Sequence, residues 1–178
     1  MSNLPQERAL LGTMPPPPCD YHQPPWRAAH EPAEQARPQT PPSGAFQLML
    51  PAQPAALSLI RGRLRQWLIT HRWPDVEIED LVLAVSEAAS NVVDHAYLHD
   101  TPGNIEIAGR VTATSAGVRV ADLTVRDHGR WRPVPAHSEN RRRGILLMKA
   151  AVAELVIDGT EHGTCVRMRG RSVGDRGD

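Results

Sequence analysis

The sequence predicts an α+β two-layer sandwich, with a mixed, mostly antiparallel sheet and helices on one face. Three observations predict it. Residues 55–72 and 75–97 repeat apolar side chains at helical spacing. Two pairs of β-rich runs follow, within 105–125 and 154–169. A Pro-rich block over residues 1–44 shows neither pattern and stands apart. Successive helices and hairpin-linked strands bury their apolar faces best as one helical layer on one sheet.

The block over 1–44 holds Pro15 to Pro18, Pro24-Pro25 and Pro41-Pro42, among 17 prolines in 178 residues. Such a segment cannot bury enough apolar surface to offset its ordering entropy, so a disordered or polyproline-II-rich tail is expected. Residues 45–172 are expected to fold, and 173–178 to fray.

Phe46 to Leu50 reads as a first strand, punctuated by Pro51 and Pro54. Leu57, Ile60, Leu64, Trp67 and Leu68 then form one apolar stripe, with Arg61, Arg63 and Arg65 between them. That helix stops before Trp73-Pro74, because a residue preceding proline disfavours helical geometry. Ile78, Leu81, Val82, Val85, Ala89, Val92, Val93 and Ala96 make the stripe of a second helix.

Pro102-Gly103-Asn104 signals a turn. Ile105 to Val111 and Gly117 to Val125 read as strands joined by a hairpin connection. A long loop is expected from Asp127 to about Arg143, a length that usually has a function. Gly144 to Ala153 reads as a short buried helix, and Glu154 to Asp158 with Gly163 to Arg169 as a closing strand pair.

Lys plus Arg equals Asp plus Glu at 20 each, so the chain lacks the basic excess of a phosphate-backbone binder. No direct nucleic-acid contact is expected. No apolar run approaches the ~20 residues that cross a bilayer, and the N-terminus lacks a convincing secretory apolar region. A soluble, cytoplasmic protein without membrane contact is expected. Cys19 and Cys165 show neither a metal-ligand spacing nor a disulfide framework, so two free thiols are expected.

Four short motifs carry chemistry. Glu87 and Asn91 are four apart on the second helix and share a face. The Asn carbonyl is a hard oxygen ligand suited to Mg²⁺, and the carboxylate one turn away suits a general base. Alone, the pair also matches an ordinary polar helix face. Asp127-His128-Gly129 ends a β-rich run. Its carboxylate can accept from an exocyclic amine while Gly129 lets a flat ring approach, although Asp and Gly are also common turn residues. Arg141-Arg142-Arg143-Gly144 is expected to open a helix, where free N–H groups and nearby cations favour phosphate. A solvated Arg cluster before a core helix reads equally well. Gly163-Thr164 opens the last strand and says little by itself.

Taken in order, these pieces resemble the GHKL (Bergerat) ATP-binding superfamily, with its N box, two glycine boxes and terminal Gly-Thr. The resemblance covers roughly Phe46 to Arg171. Ser86-Glu87-Ala88-Ala89-Ser90-Asn91-Val92-Val93-Asp94-His95-Ala96-Tyr97 is similar to the N box of the anti-sigma-factor serine/threonine kinase branch. Asp127-His128-Gly129-Arg130-Trp131-Arg132-Pro133 is similar to the actinobacterial form of its first glycine box.

The resemblance implies ATP and Mg²⁺ as cofactors. Glu87 would be the general base on a partner serine, and Asn91 the Mg²⁺ ligand. Asp127 would bind the adenine amine, Gly129 would line its pocket, and Thr164 would support the same hydrogen bonds. Arg143 and Gly144 would lie against the phosphates. The implied partners are a sigma factor and an anti-sigma-factor antagonist, and the branch commonly forms homodimers. One position departs: Arg142 stands where the branch usually has the first glycine of its second box. A non-catalytic nucleotide-binding module that sequesters a regulatory partner is therefore the alternative to a kinase.

Overall fold

The computed structural model describes residues 45–97, 103–113, 117–130 and 139–174. Strand β1 (Ala45–Pro51) leads into α1 (Pro54–Thr70) and α2 (Asp75–His95). Strands β2 (Asn104–Ala113) and β3 (Arg119–Arg126) follow, then α3 (Glu139–Ala151), β4 (Glu154–Thr160) and β5 (Gly163–Arg169). The sheet order is β1-β2-β3-β5-β4, and every pairing is antiparallel.

Alternation along the strands creates the two layers. Ile105 and Ile107 on β2, Ala121, Leu123 and Val125 on β3, and Val166 and Met168 on β5 all belong to the core. They meet Ile60, Leu64 and Leu68 of α1 and Leu81, Val85 and Ala89 of α2. The intervening residues point to the other face. Buried Asp122 there accepts from Arg169 at 2.9 Å and lies 3.7 Å from Arg110. Asp122 and Thr124 on β3, paired with Arg169 and Arg167 on β5, are therefore polar without disturbing the core.

Several expected boundaries move. Helix α1 ends at Thr70, because the backbone turns at His71 and Arg72, whose φ is 52°. Helix α2 stops at His95, so Ala96 and Tyr97 lie beyond it. Helix α3 starts at Glu139, inside the expected loop, because the Arg run has good helix propensity. Val173 is not frayed: it is buried and exchanges backbone hydrogen bonds with Arg119 at 2.8 and 2.9 Å. Cys165 is disulfide-bonded, which corrects the free-thiol expectation. Spacing along a chain does not report what folding brings beside a thiol. Cys19, the Pro-rich block and residues 175–178 lie outside the described residues. No described helix is long and apolar enough to cross a membrane.

The α1–α2 corner depends on Arg119 at the start of β3. Its guanidinium donates to the carbonyls of His71 and Arg72 and stacks 5.2 Å from the Trp73 ring centroid. Arg119→Ala leaves those carbonyls without this donor and is expected to cost about 1–3 kcal/mol in denaturant unfolding. Arg119→Lys should recover only part, because an ammonium lacks the planar fork.

Candidate functional site

The end of β3 meets the end of α2. Asp127 is 3% exposed, and one of its carboxylate oxygens accepts from the Gly129 N–H at 2.8 Å. Its backbone N–H donates to the Thr164 carbonyl at 3.0 Å, and the Thr164 side chain also hydrogen-bonds the carboxylate. Burial pushes the Asp127 carboxyl above the ordinary aspartate range, against the hydrogen bonds from Gly129 and Thr164, which pull it down.

Two glycines make this approach sterically feasible. A Cβ on Gly129 would lie 2.3 Å from the Ala96 carbonyl oxygen. Gly163 has φ of 133°, and a Cβ there would lie 2.1 Å from the Asp127 carbonyl oxygen. Only glycine adopts that backbone without strain, so the β4–β5 hairpin can rest on the Asp127 loop.

The His95-Ala96-Tyr97 phrase acquires definite roles. The Ala96 carbonyl accepts from the Arg130 N–H at 3.1 Å. The Tyr97 hydroxyl accepts from the His128 N–H at 3.1 Å and donates to the Asn104 carbonyl at 3.2 Å. Burial raises the Tyr97 phenol, which keeps it a neutral donor and acceptor. His128 reaches back to Glu106 at 3.0 Å.

A cleft of about 470 Å³, open mouth included, lies between α2, α3 and the sheet. Asp127, Thr164, Asn91, His95 and Arg130 supply its polar lining. Val125, Val166, Ile157, Ile145 and Met148 are among its apolar walls. A cleft with mostly apolar walls and a buried carboxylate in its lining has the chemistry to take an aromatic ring that carries an exocyclic amine. Among the described residues no group of three or more His, Cys, Asp or Glu could hold a metal. Mg²⁺ does not need one, since it keeps several waters and shares phosphate oxygens with few protein ligands. Asn91 fits that role.

The structure thus brings Asn91, Asp127 and Thr164 into one cavity and puts Gly129 behind its wall. Glu87 and Gly144 face each other beside it: a Cβ on Gly144 would lie 2.8 Å from Glu87 Oε2 and 4.0 Å from Asn91 Nδ2. The expectation that Gly144 opens a helix is corrected. It lies five residues inside α3, past the first turn, where backbone N–H groups lack helical partners. Its small size serves the approach of α3 to Glu87. Arg143 is exposed on α3 and is not among the cavity-lining residues. Sequence reasoning missed the apolar walls of β3, β4, β5 and α3, although the strand alternation carried that signal. It also missed His95 and Arg130 as lining residues.

The profile of the histidine kinase-like ATPase domain matches residues 50–170. The chain belongs to this family. Over 77 residues it is 40% identical to the serine-protein kinase RsbW of Bacillus subtilis (strain 168), covering 43% of this chain and 48% of that protein. It is also 40% identical over 77 residues to RsbW of Listeria innocua serovar 6a (strain ATCC BAA-680 / CLIP 11262), covering 42% and 48%. The chain thus spans about half the length of these relatives. The crystal structure of the RsbU and RsbW domains of Rv1364c from Mycobacterium tuberculosis superposes with a TM-score of 0.57 at 28% identity. That match covers 76% of this chain and 34% of the other. The fold is therefore of the GHKL α+β type, as expected.

Two outcomes follow for the ligand-free protein. An acid whose carboxyl is raised by burial destabilises the fold while ionised, and the penalty disappears as pH falls through its raised value. Asp127→Asn should therefore remove this part of the pH dependence, so that stability relative to wild type is greater at neutral pH than at acid pH. Calorimetry across pH checks this. Gly144→Ala should gain up to about 1 kcal/mol from helix propensity, because the only close contact is the movable end of Glu87. Denaturant unfolding measures that gain.

Proposed function

We propose that this chain is an ATP-dependent serine kinase of the RsbW type, acting on an anti-sigma-factor antagonist and holding a sigma factor. One observation carries the nucleotide part: a buried carboxylate, hydrogen-bonded by Gly129 and Thr164, closes an apolar slot beside Asn91. The partners come from the resemblance to RsbW and to the anti-sigma-factor branch.

In this reading Asp127 accepts from the adenine amine, and the walls from Val125 to Met148 sandwich the ring. Helix α2 sets the length of the site. Ala96, against which the Asp127 loop rests, and Glu87 are separated by about 13 Å along the helix axis. That span suits a nucleoside triphosphate with its base at Asp127 and its terminal phosphate near Glu87. Asn91, between Glu87 and Ala96 on the helix, would hold Mg²⁺. Mg²⁺-ATP supplies a transferable phosphoryl group and charge neutralisation. Glu87 accepts the proton of the incoming serine hydroxyl, which makes the oxygen a better nucleophile.

A non-catalytic sequestering module is the second reading. Arg142 occupies a lid-glycine position, and α3 lies directly over Glu87. Either feature can hinder phosphotransfer without preventing nucleotide binding.

Titration with Mg²⁺-ATP, followed by phosphotransfer to an antagonist protein, separates the two. Binding with transfer supports the kinase. Binding without transfer leaves the module. Glu87→Ala should reduce transfer by about 10²–10⁴-fold, the usual contribution of general base catalysis, and leave ATP affinity nearly unchanged. Asp127→Asn should lose binding and with it everything downstream.

A further inference from the structure

We infer that the chain segment around Cys19 covers the outer face of the sheet at β3 and β5, held there by a redox-sensitive disulfide between Cys19 and Cys165. That face lies on the other side of the sheet from the cleft, and the cover is independent of what the cleft binds.

The strand register places Cys165 on the outer face. Val125 and Val166 are paired and belong to the core, so the next pair, Arg126 and Cys165, points the opposite way. Helices α1, α2 and α3 all pack on the core face, through residues such as Leu64, Leu81 and Met148. Among the described residues no other element is left to cover the outer face. A bare sheet face leaves its side chains open to water. Cys165 is nonetheless only 2% exposed and Arg126 only 7%. On the same face Met49 of β1 and Val156 of β4 are 56% and 37% exposed, so the cover is confined to the middle strands.

The bond at Cys165 names the occupant. Cys165 is disulfide-bonded, and the chain has one other cysteine, Cys19. Cys19 lies outside the described residues. Residues 20–44 link it to β1, and at roughly 3.3 Å per residue they span up to about 80 Å. Strand β5 is three places from β1 in the sheet, roughly 15 Å across, so the segment reaches it easily. Pro15 to Pro18 immediately precede Cys19, and proline lowers the entropy that a segment loses when it is laid on a surface.

Forming the bond converts two thiols into one disulfide. Two electrons and two protons pass to a small-molecule disulfide, which leaves as two thiols. Arg126, directly across from Cys165 on β3, favours the thiolate that carries out the exchange. Asp158, across from it on β4, is engaged by Arg167 at 2.6 Å. A reducing environment reverses the exchange and uncovers Arg126 and Cys165.

The test equilibrates the full chain in glutathione buffers from reducing to oxidising, counts thiols after acid quenching and denaturation, and maps the peptides. Free thiols should fall from two to none, with the Cys19 and Cys165 peptides linked to each other. Native protein from both ends of the series is then labelled with phenylglyoxal. Labelling of Arg126 should rise severalfold on reduction. Cys19→Ser, kept free of glutathione, should label at the fast rate, and so should Cys165→Ala, which separates the tether from any effect of Cys19 alone. Two free thiols in every buffer overturn the inference. So do disulfide-linked dimers, or glutathione on Cys165 in place of Cys19. Linked peptides with equal Arg126 labelling in both forms overturn the cover.

Discussion

The hydrogen bonds around Asp127 join three elements that are distant in the chain. Its carboxylate accepts from Gly129, its N–H donates to Thr164 on β5, and the loop it begins rests on Ala96 at the end of α2. Each contact needs the others. Without glycine at 129 and 163 the backbones could not approach, and without Tyr97 the His128 N–H would lose its acceptor. A carboxylate held this way is desolvated, and burial raises it above its ordinary range. Desolvation is costly to the empty protein and useful to a ligand that offers a donor, since a hydrogen bond to a buried charge is worth more than one in water.

Beside the cleft the arrangement is different. Glu87 projects from α2 toward Gly144 on α3, and the absence of a side chain at 144 leaves room for the carboxylate. The helix that covers the site thus also sets the access to its candidate base. Arg142 and Arg143 belong to that same helix. The Asp127 side is built on a backbone hydrogen bond between the end of β3 and β5. The Glu87 side is built from the packing of α3 on α2.

Much of this was legible in the chain. The stripes of α1 and α2 follow from period, since a helix buried on one side must repeat its apolar residues every three or four positions. The β2–β3 and β4–β5 hairpins follow from alternation and from Gly and Pro punctuation. Glu87 with Asn91, and Asp127 with Gly129, were visible as local motifs. The start of α3 was not, because the Arg run that reads as a polar loop is also a good helix former, and packing on α2 decided between them. The state of Cys165 and the anchoring of Val173 depend on neighbours that no local pattern names.

What the sequence determined by itself was the element order, the buried faces and the residue types able to hold an amine, a metal and a proton. Those depend on short-range regularities of backbone geometry. Tertiary structure alone decided that Asn91, Asp127 and Thr164 share one cavity, that Gly144 makes room for Glu87, and that Arg130 and His95 join the lining. These are contacts between residues far apart in the chain or brought round by a turn. They exist only once the sheet closes antiparallel and both helices settle on one face.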